Sequence, residues 1–67
     1  MPNSKERLFT EHQELDSGLS KLSDFLSDSS NLEIVGPLQW GLLYAQHSAM
    51  ILYRDILAHR LGEWDSD

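Results

Sequence analysis

The chain has 67 residues, with eleven Asp and Glu against five Lys and Arg, for a formal net charge of −6. That length excludes more than one domain, and the sign of the charge excludes the phosphate neutralisation on which direct nucleic-acid binding rests. The absence of cysteine excludes disulfides and thiolate zinc sites, so a partner or a homo-oligomer is the expected way to complete a core that supplies only ~3–5 kcal/mol at this size.

The N-terminal MPNSKERLF has no apolar segment of the secretory type, and no apolar run reaches the ~20 residues of a membrane span. A cytoplasmic protein with no membrane contact is expected. The first helix is predicted over about residues 4–27. Asn3 is placed to cap it, and Glu6 follows three residues on, as in a capping box. Leu8, His12, Leu15, Leu19, Leu22 and Leu26 then recur at steps of four and three, a narrow heptad-like seam flanked by Phe9 and Phe25. Gly18 interrupts this run at a cost of ~1 kcal/mol relative to Ala, which implies close approach by a neighbour.

The turn is predicted over 28–36. SDSSN has turn chemistry, Leu32–Val35 form one short turn that lids the hairpin, and Gly36-Pro37 breaks the chain. The second helix is predicted over about 37–61, with Gly62 as its stop and an acidic tail, EWDSD, that frays. It carries two apolar stripes. One holds Leu38, Leu42, Ala45, Ala49, Leu52 and Ile56; the other holds Leu43, Met50, Tyr53, Leu57, Leu61 and Trp64. At ~100° per residue they span about half the helix circumference, more than the seam of the first helix can cover. A second surface, from another copy or from a target, is therefore expected. Leu52 and Ile56 are assigned to the hairpin core, facing Leu15, Leu19 or Leu22. The fold class is all-α: a two-helix antiparallel hairpin with a short connecting turn or helix, forming one domain over residues 1–67.

The pairs His12 with Asp16 and Asp55 with His59 are each one helical turn apart, but a structural zinc site wants four ligands. No metal or cofactor is expected. There is no GxSxG, no glycine-rich phosphate loop and no room for a buried catalytic carboxyl, so no enzyme is expected either. Two partner-binding surfaces are candidates. The first helix sets Glu11, Glu14, Asp16, Asp24 and Asp28 against a single lysine, Lys21, a pattern with which a helix can imitate nucleic-acid phosphates. On the second helix Trp40, Tyr44 and Ile51 are read as facing away from both stripes, with His47 and Arg54 toward one edge. Aromatics and Arg are enriched at interface hot spots; the competing reading folds the Leu32–Val35 turn over Trp40 and Tyr44.

Two segments, ERLFTEHQELDSGLSKLSDFL (6–26) and LQWGLLYAQHSAMILYRDILAHRL (38–61), resemble a family of very small helical-hairpin proteins of tailed phages and prophages, including crAss-like phages. The matching residues are Glu14-Leu15, Lys21-Leu22, Phe25-Leu26, Leu42-Leu43, Gln46, Ala49-Met50, Tyr53, Ile56-Leu57 and Arg60-Leu61; the Gly36-Pro37 break, Trp40 and Trp64 depart from the pattern. The resemblance implies a phage origin and no enzymatic role. By analogy of size and charge, the expected function is a phage-encoded, anti-CRISPR-type inhibitor. It would act as an acidic nucleic-acid mimic on the basic surface of a host defence protein, such as a CRISPR effector subunit. The alternatives are a self-assembling scaffolding hairpin and an oligomeric sponge for a signalling nucleotide. The sponge would draw on Lys5, Arg7, Lys21, Arg54 and Arg60.

Overall fold

The computed structural model describes residues 4–64. The expected Asn3 cap and the last three residues of the acidic tail lie outside them. Helix α1 spans Ser4–Ser27 and helix α2 spans Asn31–Trp64, interrupted at Gly36. The two pack as an antiparallel hairpin, and no strand occurs among the described residues.

Side-chain chemistry makes the turn. Asp28 Oδ1 accepts from both the amide and the hydroxyl of Ser30, at 3.0 and 2.7 Å. These two bonds hold the Asp28 carboxyl below its usual pKa. The Asn31 side-chain amide reaches back to donate to the Phe25 carbonyl at 2.8 Å, which satisfies one of the orphan acceptors at the end of α1. The Leu32–Val35 segment forms the expected short helical piece. Gly36 then adopts φ 85°, ψ 161°, a region essentially reserved for glycine, and Pro37 restarts the helix.

Gly62 is not the stop that its residue type suggested. Among the described residues only Gly36 has positive φ, so α2 continues to Trp64 in its regular conformation. His59 Nε2 lies 3.7 Å from Glu63 Oε1, one turn on, with both side chains exposed.

Leu8, Leu19 and Leu26 of α1 are buried, as the heptad spacing predicts, together with Leu57 of α2. Leu15, Leu22 and His12 of the same seam are half-buried. Gly18 is where a neighbour comes close: a Cβ there would lie 3.5 Å from Met50 Cε. On α2 the assignment of Leu52 and Ile56 to the core is overturned, since they are 63% and 49% exposed. The side of α2 that meets α1 instead runs through Trp40, Leu43, His47, Met50, Ile51, Arg54, Leu57 and Leu61, all half-buried or buried. That side includes a histidine and an arginine, so hydrophobicity alone did not single it out. Their polar groups are satisfied across the hairpin. His47 Nε2 lies 2.6 Å from Ser23 Oγ, and Arg54 Nη1 donates to Asp16 Oδ1 at 3.2 Å.

Candidate binding surfaces

The five acidic candidates do not form one free face. Glu11 accepts a hydrogen bond from the Tyr53 hydroxyl, and that bond pushes the phenol pKa up. Asp16 is paired with Arg54, and Asp28 caps its own turn. Each of these three carboxylates therefore has a structural task. Glu14 and Asp24 are exposed on α1.

Trp40 does not face away from the hairpin, nor does Ile51; both are half-buried on the side toward α1. The Trp40 ring lies 6.2 Å from that of Phe25, tilted by 46°, and meets Tyr44 edge-on at 5.7 Å. Such aromatic pairs contribute ~0.5–1.5 kcal/mol beyond simple burial. This cluster tapes the turn end of the hairpin together. Tyr44, at its outer edge, is half exposed.

Two other surfaces stand out. The first is the end of the hairpin away from the turn, where the start of α1 meets the end of α2. Arg7 and Arg60 come from different helices and line one polar groove there with Ser4, Leu8 and Glu11. Arg60 also lines an adjoining groove with His59, Glu63 and Trp64. Both arginines are among the five cations that a nucleotide sponge would draw on; antiparallel pairing of the helices is what joins them. The second is the stripe Leu38, Leu42, Ala45, Ala49, Leu52 and Ile56, exposed along its whole length.

Among the described residues no group of three or more His, Cys, Asp and Glu could hold a metal ion, and no helix is long and apolar enough to cross a membrane.

The described residues define a small all-helical protein, a two-helix hairpin with surface grooves and an exposed apolar stripe. The chain is a member of the Sequestin family, whose model matches residues 2–63 and so takes in α1 and all of α2 but its last residue. No curated protein and no solved structure gives a significant match.

Proposed function

We propose that this chain is a non-catalytic sequestering protein that holds an anionic small molecule of the nucleotide class, keeping it from a receptor without transforming it. The observation that carries this reading is the position of Arg60, shared between one groove with Arg7 and another with Trp64 and His59. Arginine forks match phosphate oxygens, and an exposed indole offers a stacking face for a base. Neither arginine forms an ion pair within the described residues. The family name itself speaks of sequestration, and the resemblance to phage hairpins supplies a setting in which a host signal is the cargo.

The acidic-mimic reading, with a basic host defence protein as target, draws on the net charge of −6. It is the weaker of the two, because Glu11, Asp16 and Asp28 are engaged within the chain.

Equilibrium dialysis against a panel of cyclic nucleotides, cyclic dinucleotides and ADP-ribose derivatives tests the proposal. The expected result is uptake of at least one of them, weakened by salt and lost in Arg60→Ala. The ligand should be recovered chemically intact after heat denaturation of the protein. Recovery of a cleaved nucleotide would make the chain an enzyme. Absence of uptake, together with a complex with a basic effector subunit that Glu14→Lys and Asp24→Lys disrupt, would transfer the function to the acidic face.

A further inference from the structure

The exposed stripe of α2 has an internal symmetry. Leu38, Leu42, Ala45, Ala49, Leu52 and Ile56 follow one another at steps of four, three, four, three and four. The order reads the same from either end: two large aliphatic residues, two alanines, two large aliphatic residues. The midpoint is His47. Since His47 is bonded to Ser23 of α1, and successive residues turn by ~100°, the stripe lies on the opposite side of α2, and none of the described residues covers it. Leu38, Leu42, Leu52 and Ile56 are 75%, 54%, 63% and 49% exposed.

We infer that this stripe is a two-fold interface, and that its occupant is the same stripe of a second copy running antiparallel. A two-fold contact must be self-complementary, with residue i meeting j and j meeting i. The palindromic stripe meets that requirement in one register: Ala45 faces Ala49 of the second copy, Leu42 faces Leu52, and Leu38 faces Ile56. The alanines at the centre let the two helix backbones approach, and the alternating four–three spacing is that of helices crossing at ~20°.

Charge selects the same occupant. The chain carries −6 overall, so two copies repel least when they meet on a surface free of charge. Residues 34–53 contain no Asp, Glu, Lys or Arg, and the stripe lies almost wholly within them. The pairing does not depend on the ligand proposed above.

Sedimentation equilibrium on the full chain reads the outcome. The wild type should sediment with the mass of two chains. Ala49→Glu, and separately Ala45→Lys, should each shift it to one chain, with circular dichroism monitoring helix content. Mixing the two variants should restore the two-chain mass, because the introduced lysine of one then faces the introduced glutamate of the other. That restoration reports the register even if a separated variant loses helix. In this cysteine-free chain, Ala45→Cys alone should not cross-link, whereas Ala45→Cys mixed with Ala49→Cys should give a covalent pair under oxidation. A wild type that sediments as one chain at the highest attainable concentration would overturn the inference. So would an unchanged mass for Ala49→Glu, a failure of the charged variants to restore each other, or efficient self-cross-linking of Ala45→Cys, which would mean parallel pairing.

Discussion

The two sides of α2 carry apolar residues at the same helical spacing, yet only one packs within the chain. The side facing α1 has His47 and Arg54 among its members, each bonded to a partner on α1. The opposite side, from Leu38 to Ile56, is free of polar side chains and exposed. Apolar content alone does not decide which side a helix buries inside its own chain. Complementarity to the one neighbour available decides it: Ser23 and Asp16 on α1 accept the polar members of one side and offer nothing to the other. A purely apolar side left uncovered is what a later association can use.

This comparison can be broken most directly at Leu57 and Leu52. Leu57 is 0% exposed, and Leu57→Ala should destabilise the hairpin by ~2–5 kcal/mol, a large part of the stability of so small a domain. Leu52→Ala should leave the melting of the separated chain nearly unchanged. Equal losses in thermal melts of the two variants, made in a background that does not associate, would erase the distinction between the sides.

Next in size is the joint at Gly36. Its φ of 85° has open space around it, since a Cβ there would meet nothing within 4 Å. Gly36→Ala should therefore cost ~1–3 kcal/mol through backbone conformation alone, measurable as a lower urea midpoint with the slope retained. An unchanged midpoint would mean that the break adopts another conformation.

The ion pair between Arg54 and Asp16 is partly exposed, with side chains 35% and 58% accessible. Asp16→Asn should cost only ~0.2–1 kcal/mol, and the cost should shrink in high salt. A large, salt-independent loss would show that Asp16 does more than pair with Arg54.

The smallest effect is a titration. Glu11 holds the proton on the Tyr53 hydroxyl and raises its pKa above 10.0. The contribution of this bond is therefore complete below the unfolded phenol's pKa and is lost as pH rises through the folded one. Alkaline absorbance titration should show the Tyr53 transition moving to lower pH in Glu11→Gln. If it stays in place, the hydrogen bond between the helices is absent in solution.

Much of the fold was legible in the sequence because the local signals agree. The Leu8–Leu26 seam, the SDSSN turn and the Gly36-Pro37 break all specify one hairpin. The width of apolar surface on α2 correctly implied more than α1 could cover. What stayed hidden was which stripe is left over, because His47 and Arg54 look like surface residues until their partners on α1 are placed. The same holds for the surfaces. Glu11, Asp16 and Asp28 read as a solvated acidic row, but pairing the helices gives the first two partners on α2, and the turn gives the third a partner in Ser30. Arg7 and Arg60, far apart in the chain, become neighbours only when it folds back.

The hairpin is a slender object, 49 × 21 × 15 Å, with a radius of gyration of 15.1 Å. A globule of this length would have about 11 Å. Its drag in solution is therefore that of a somewhat larger sphere, and a single copy leaves a gel-filtration column ahead of a globule of the same mass. Two copies joined side by side along α2 thicken the rod more than they lengthen it, so their elution advances less than a doubled mass suggests. Column position thus narrows the difference between one copy and two, while light scattering and sedimentation equilibrium, which weigh the particle, keep it.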